Sequence, residues 1–393
     1  MKTTTLLRLL AAALTLALFA AACGSDDDGG GAATDGSADG SGTTAAGGDG
    51  GDGDMEVVAC GVDEVQGDLN IYNWAEYIDP EQLAAFETQY GVSVTMDVYD
   101  SNEAMQPIIS AGNSGYDLIV PSDYMVGILI ASGDIQPLNK DAIPNLTNLS
   151  EEFQGLSYDP DGTYSVPYQW GYTGLAVDTE VAGTDFPRSW SLVFDPEVAD
   201  QYSGQISLLN DPRETLGAAL KYLGYSLNTT SEEELNEAKD LVADASSRVT
   251  AFDTDQADEL LTTGETAIAH GYSGDMFTQF QETDVPERYV FFVPEEGGTR
   301  WIDNMAIPQD APDPCTAHTF INWLLDGEQG AALSNWNYYS TPNAAAIDGL
   351  DPELADFVTS PDVVPGGVDG LEEIKDTGEF EINYSDAFIQ AKG

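Results

Sequence analysis

The stretch L-N-I-Y-N-W-A-E-Y, residues 69–77, decides the fold class. Its first residues alternate apolar and polar side chains, the period that predicts a half-buried strand. After the strand come Trp74, Glu76 and Tyr77, two aromatic rings around a carboxylate. In open α/β sheets, ligands bind at the carboxyl ends of strands. Taken alone, the same rings also fit a core, and Glu76 also fits a charge at a helix N-terminus.

Strands and helices alternate along the chain after this stretch. A helix predicted over 80–90 has a proline at its start and Gly91 just past its end, which is the usual asymmetry of helix termini. The other elements predicted in this first series are strands 69–74, 92–99, 116–120 and 164–168 and helices 102–111 and 124–131. The order strand, helix, strand predicts a mostly parallel sheet with helices on both faces.

A second α/β series begins near residue 173. Its predicted elements are strands 173–177, 205–210, 266–272 and 288–293, a helix near Trp190, and helices 212–223, 231–244 and 275–281. Residues 301–308 again read as a strand, and 315–336 read as one long amphipathic helix. The sequence therefore predicts two α/β lobes.

The N-terminal residues 1–22 predict a secretory signal peptide. Two basic residues precede an apolar run over 9–20, which is shorter than the roughly 20 residues that a membrane helix needs. The arrangement resembles a bacterial lipoprotein signal, which implies lipidation of Cys23, although Ala20 departs from the usual leucine. Residues 24–54 contain Gly, Asp, Ser, Ala and Thr and predict a tether with a reach of about 30 Å.

The charge balance is extreme. The chain has 69 acidic and 12 basic residues and a formal net charge of −57 at pH 7. Such a field repels nucleic acid and anionic lipid and attracts cations. Most of these acids fit a surface adapted to high salt. The apolar content of 42% and the 18 Tyr, 14 Phe and 6 Trp indicate a folded protein.

Few side chains could support covalent or metal chemistry. The sequence contains no G-x-S-x-G, H-E-x-x-H, P-loop or C-x-x-C motif, and its only histidines are His270 and His318. We expect both histidines to serve packing or the surface. Cys60 and Cys315 favour a structural disulfide in an exported protein, and neither lies in a metal or redox motif. We expect no metal and no cofactor, while a carboxylate-pair hydrolase remains an open alternative.

Carboxylates beside aromatic residues recur at five predicted strand ends. The groups are Trp74, Glu76 and Tyr77; Ser122, Asp123 and Tyr124; Asp211 and Glu214 around Arg213; Tyr272 and Asp275; and Trp301 and Asp303. Carboxylates bind ammonium groups through charge-assisted hydrogen bonds, and aromatic faces attract cations and cover methylene chains. This combination between two lobes suits a flexible polycation.

Eight motifs in order then resemble one family. They are I-Y-N-W-A-E-Y (71–77), Y-D-S-N-E (99–103), Y-D-L-I-V-P-S (116–122), S-V-P-Y-Q-W-G (165–171), D-P-R-E (211–214), P-E-E-G-G (294–298), W-I-D-N-M-A-I-P (301–308) and Y-S-T-P-N (339–343). From about Leu69 to its C-terminus the chain resembles the spermidine/putrescine-binding proteins of bacterial ABC transporters. The resemblance implies a periplasmic-binding-protein type II-like fold in which two lobes close by a hinge over ligand in the cleft.

The resemblance also implies the ligand-binding residues. These are Trp74, Glu76, Tyr77, Ser122, Tyr124, Asp211, Glu214, Tyr272, Asp275, Trp301, Asp303, Tyr339 and Glu381. By this resemblance, Asp211, Glu214, Asp275 and Asp303 hold ammonium groups, and the Trp and Tyr side chains line the hydrocarbon. The sequence departs from the family at four positions: Ala75 replaces a hydroxyl residue, Asp123 adds an acid, Tyr272 replaces tryptophan, and Glu381 replaces glutamine. The choice of polyamine therefore stays open, and the added acids could favour more ammonium groups.

We therefore expect a monomeric, lipid-anchored solute-binding protein on the outer face of the cytoplasmic membrane or in the periplasm. It would deliver a polyamine to the permease of an ABC importer and perform no chemistry. A receptor for another cationic or amino-bearing solute and a secreted carboxylate-dependent enzyme are the alternatives. The predicted segments are a signal peptide at 1–22, a lipidated cysteine and tether at 23–65, lobe 1 at 66–171 with 302–349, and lobe 2 at 172–301 with 350–393.

Overall fold

The computed structural model describes residues 57–352, 354, 360–365 and 371–393. The predicted signal peptide, the lipidation site Cys23 and nearly all of the tether lie outside the described residues. The strands are β1 (Leu69–Asn73), β2 (Val94–Val98), β3 (Leu118–Ile119), β4 (Ser165–Asp178), β5 (Ile206–Leu208), β6 (Val249–Phe252), β7 (Ile268–Tyr272), β8 (Tyr289–Phe292) and β9 (Arg300–Ala306).

Helices of very different lengths connect these strands. They are α1 (Pro80–Tyr90), α2 (Asn102–Ser110), α3 (Asp123–Ser132), α4 (Thr179–Ala182), α5 (Ser191–Phe194), α6 (Pro196–Ala199), α7 (Pro212–Leu223), α8 (Glu232–Ser246), α9 (Ala257–Thr262), α10 (Ser273–Glu282), α11 (Pro314–Leu324), α12 (Gly327–Asn337) and α13 (Glu381–Lys392). The predicted bounds of α1 and α7 are confirmed. Both begin at a proline after an aspartate N-cap and end at a left-handed glycine.

The strands pair in the order β2-β1-β3-β9-β4-β7-β5-β6, and β8 pairs with β4. In the first half of the fold, β1 lies parallel to β2 and β3. In the second half, β5 lies parallel to β6 and β7. The long strand β4 is antiparallel to β9 over Ser165–Tyr172 and to β7 over Thr173–Val177, so it runs through both halves. The predicted α/β class is confirmed. Each half holds three parallel strands, next to which lies an antiparallel strand, β9 in the first half and β4 in the second.

Each half has its own apolar core. Phe86 of α1 and Phe320 of α11 meet edge to face in the first half, with ring centroids 5.0 Å apart. Trp190, Phe194 and the apolar faces of α7 and α8 fill the second half. Burial of one such side chain contributes about 1.5–3 kcal/mol, so each half is stabilised around its own sheet.

Two predictions about elements are wrong. The strands predicted at 164–168 and 173–177 form one strand, because β9 and then β7 pair with the same continuous backbone. The helix predicted over 315–336 is two helices. It breaks because Asp326 caps a new helix by accepting a 2.9 Å hydrogen bond from the Glu328 N–H. Strand β6 and helices α4, α6, α9 and α13 were not predicted.

Cys60 and Cys315 are joined in a disulfide, with their Cα atoms 5.3 Å apart. The bond ties the segment before β1 to the first turn of α11. His270 is fully buried in β7 against Trp190, and burial lowers its pKa to about 3. His318 is buried in α11, where its Nε2 accepts a 2.9 Å hydrogen bond from the Asn139 N–H. Both histidine side chains therefore pack in the protein interior.

Candidate ligand-binding site

One cavity collects most of the predicted binding residues. It lies at the carboxyl ends of β1, β3, β5 and β7, where each strand passes into a helix or loop. Its lining includes Trp74, Glu76, Tyr77, Ser122, Tyr124, Asp211, Glu214, Tyr272, Asp275, Trp301, Asp303 and Tyr339. Parallel strands end at one edge of a sheet, which is why side chains far apart in sequence meet here. We call this space the acidic cavity.

Asp303 projects from the middle of β9 and is 5% exposed. Its two carboxylate oxygens accept hydrogen bonds from the Tyr77 hydroxyl at 2.8 Å and from the Ser122 hydroxyl at 2.7 Å. Burial raises the pKa of Asp303 to about 7, although these two donors lower it. Asp303 is therefore held in place and is ready to bind a cation when it is ionised.

Asp211 and Glu214 form a second acidic group at the start of α7. Asp211 is the N-cap and accepts from the Arg213 and Glu214 N–H groups at 2.8 and 2.9 Å. Glu214 accepts from the Thr173 hydroxyl at 2.9 Å and from the Thr299 hydroxyl at 2.7 Å. Burial raises the pKa of each carboxyl to about 7. These donors therefore orient both buried carboxylates, and a bound cation would stabilise their ionised forms.

Asp275 and Tyr339 form a third group beside α10. The Asp275 N–H donates to the Tyr339 hydroxyl at 3.4 Å. Burial, and then the charge of Asp258, raise the pKa of Asp275 well above its ordinary value. Gly274 makes this contact possible, because a Cβ there would lie 2.5 Å from the Tyr339 ring.

Aromatic rings line the acidic cavity together with the carboxylates. Trp301 lies 5.2 Å from Tyr339 and 5.8 Å from Tyr272, centroid to centroid, and both pairs meet edge to face. Tyr77 is 5.0 Å from Tyr339, and Trp74 is 6.4 Å from Tyr272. The Trp74 indole N–H donates to the Val120 carbonyl at 2.9 Å, which orients its ring. The faces and edges of these rings can therefore contact a ligand that lies between the carboxylates.

Glu381 does not line the acidic cavity. Both of its carboxylate oxygens accept from Arg213 Nη1 at 2.7 Å, and the Arg213 side chain is fully buried. A buried guanidinium needs a counter-charge, and Glu381 supplies it from the start of α13. Glu381 therefore neutralises the buried charge of Arg213 behind α7.

Six further residues line the acidic cavity: Ala75, Asn102, Asp123, Thr254, Asp255 and Ile374. Ala75 and Asp123 are the departures noted in the sequence. Thr254 and Asp255 follow β6, and the only available signal was the short β-branched and aromatic run V-T-A-F at 249–252. Asn102 Nδ2 donates to the Ser122 hydroxyl at 3.0 Å and its Oδ1 accepts from the Ser122 N–H at 3.1 Å, which positions that hydroxyl.

Seven carboxylates line the acidic cavity, and no Lys or Arg of the described chain does. Within the same residues, no cluster of His, Cys, Asp and Glu is arranged to hold a metal ion. None of the described helices is long and apolar enough to cross a membrane.

Two α/β halves with an acidic and aromatic cavity at their strand ends define a solute-binding protein. Residues 81–361 match the family of bacterial extracellular solute-binding proteins, and the chain belongs to this family. The putrescine/cadaverine-binding protein of Pseudomonas aeruginosa is 36% identical over 294 residues, which cover 73% of this chain and 82% of that relative.

Two solved structures extend the comparison. The spermidine/putrescine ABC transporter substrate-binding protein PotD of Streptococcus pneumoniae is 30% identical, with a TM-score of 0.65 over 83% of this chain and 99% of that one. The Tp0655 (TpPotD) lipoprotein of Treponema pallidum is 29% identical, with a TM-score of 0.70 over 82% of this chain and 99% of that one. These neighbours confirm the predicted type II binding-protein fold.

Proposed function

We propose that this chain is the solute-binding component of an ABC importer and that it captures a polyamine in the acidic cavity. The observation that carries the proposal is the lining itself, with seven carboxylates, no basic side chain from the described residues and a set of aromatic rings. The names of the relatives, which refer to putrescine, cadaverine and spermidine, support the same ligand class.

The chemistry of a polyamine matches this lining in two ways. Each ammonium group can donate charge-assisted hydrogen bonds to a carboxylate, worth about 1.5–3 kcal/mol each. The methylene segments can lie on the aromatic rings, and the rings attract the cation by a further 0.5–2 kcal/mol or so. Asp303, Asp211 with Glu214, and Asp275 belong to three different elements, β9, the start of α7 and α10, and would hold separate ammonium groups.

Closure of the two lobes would be the functional step. Strands β4 and β9 connect the halves and are the natural hinge, because the other strands belong to one half each. The lobe boundaries remain those predicted from the sequence. We infer that the closed form is what the permease recognises and that the protein catalyses no reaction.

We further propose that the mature chain is exported and anchored by a lipid on Cys23. The signal pattern before Cys23 supports this, as does the lipoprotein named among the solved relatives. The Gly- and Asp-rich tether would hold the binding domain, as a monomer, above the outer face of the cytoplasmic membrane or within the periplasm.

Calorimetric titration of the full chain in detergent tests the ligand class. Putrescine, spermidine and spermine are compared with arginine at moderate salt, and Asp303→Asn serves as the site variant. We expect one-to-one binding of a polyamine that is tighter than that of arginine and is weakened in the variant. Tighter binding of arginine would favour a receptor for another amino-bearing solute. Conversion of a ligand to product would instead establish the carboxylate-dependent enzyme.

A further inference from the structure

Asp123 is a buried acid that neither the predicted site nor the fold accounts for. It begins α3, lines the acidic cavity and is 2% exposed. Its Oδ1 accepts from the Tyr124 N–H at 2.7 Å, while Oδ2 is buried with no hydrogen-bond partner among the described residues. A buried carboxylate oxygen without a partner is costly, and such groups concentrate at functional sites.

The charged groups that act most strongly on Asp123 are acidic. Burial raises its pKa well above the ordinary value and the charges of Glu373 and Asp303 raise it further, while the backbone N–H groups of Tyr124 and Ile302 lower it. No Lys or Arg of the described chain forms an ion pair with it. The nearby Tyr158 hydroxyl donates to Asn304 at 3.1 Å and not to Asp123.

We propose that Asp123 is a further ligand-binding residue, and that its part of the acidic cavity, beside Ile374, takes one more ammonium group than a diamine can supply. The inference rests on the proposed function and names the substrate class as a triamine or longer polyamine. Each Asp303 oxygen accepts one hydrogen bond, from Tyr77 or from Ser122, and keeps a second acceptor site for one ammonium group. Asp123 follows Ser122 in the chain, and its Oδ2 accepts no hydrogen bond from the described residues.

The charge balance of the acidic cavity supports the same class. Burial raises the pKa of all seven carboxyls that line the acidic cavity, so each ammonium group that binds stabilises the ionised form of those near it. A diamine brings two such charges, whereas spermidine and spermine bring three and four. An ammonium group between Asp123 and Glu373 would join α3 to the segment before α13. Binding of a longer ligand would therefore favour closure of the lobes.

Titrating putrescine and spermidine into the full chain and its Asp123→Asn variant tests the proposal. We expect the variant to bind spermidine about tenfold more weakly, the scale of a lost hydrogen bond to a charged group, while putrescine binding is unchanged. Asp141→Asn, an exposed position, is the matched control for charge. If the asparagine variant does not fold, Asp123→Ser repeats the charge removal with a smaller side chain.

The other outcomes separate the two proposals. An equal loss for both ligands would mean that Asp123 shares an ammonium group with Asp303, and it would overturn the additional subsite. Unchanged affinity for both would mean that Asp123 does not contact the ligand. If the unmodified chain binds neither polyamine, the proposed function fails, and the longer-ligand inference fails with it.

Discussion

Replacing Asp303 by asparagine should weaken polyamine binding and flatten its pH dependence. Asparagine has nearly the same shape but carries no charge, and its amide could accept from only one of the two hydroxyls that now donate to Asp303. Loss of a hydrogen bond to a charged group costs about 1.5–3 kcal/mol, so the expected rise in Kd is about ten- to hundredfold.

The pKa of Asp303 sets how this loss varies with pH. With a pKa of about 7, half of the Asp303 carboxyl groups are protonated at pH 7 in the free protein, and binding an ammonium group must remove that proton. Deprotonation costs about 0.4 kcal/mol at pH 7 and about 1.4 kcal/mol at pH 6. The advantage of aspartate over asparagine should therefore shrink about fivefold between pH 7 and pH 6.

Calorimetry at pH 6, 7 and 8 measures both effects, and Asp141→Asn controls for the change in net charge. Titration at pH 7 in two buffers of different ionisation enthalpy counts the protons released, and the variant should release about half a proton fewer. Equal affinity of variant and unmodified protein at all three pH values would refute the assignment of Asp303 to the ligand. A loss that does not change with pH would refute the raised pKa.

For three other perturbations the structure predicts the direction of the effect. First, the unfolded carboxyls titrate near pH 4 and the folded Asp211, Glu214 and Asp303 near pH 7, so their contribution to stability is present at low pH and lost as pH rises through about 7. Lowering the pH from 8 to 6.5 should therefore raise the free energy of unfolding of the ligand-free protein by about 0.5–1 kcal/mol per carboxyl and raise its Tm, and a fall in Tm would contradict this. Second, thiol labelling should find Cys60 and Cys315 unreactive until reduction, which should cost about 2–5 kcal/mol of stability; reactive thiols before reduction would exclude the bond. Third, Gly274→Ala should displace the Tyr339 ring and weaken polyamine binding, whereas Gly127→Ala, whose Cβ would have no neighbour within 3.8 Å, should not; equal affinities would disprove the role of that close approach.

Local patterns were sufficient for much of the fold. The bounds of α1 and α7 follow from an aspartate N-cap, a proline and a terminal glycine, and all of these signals lie within one helix. The break between α11 and α12 was missed because the apolar stripe continues across it while Asp326 caps a new helix. Strand β6 was missed because four residues carry too little periodicity.

The sequence by itself determined the α/β class, and it placed an acid and an aromatic ring at each of several strand ends. These features are local, and parallel strands necessarily bring such ends to one edge. Only the tertiary structure decided which partner each acid meets. Glu381 pairs with Arg213 behind the acidic cavity, whereas Asp123 lines it with an oxygen that has no partner among the described residues. The energy of a buried charge depends on its neighbours in space, and no pattern of spacing along the chain encodes those neighbours.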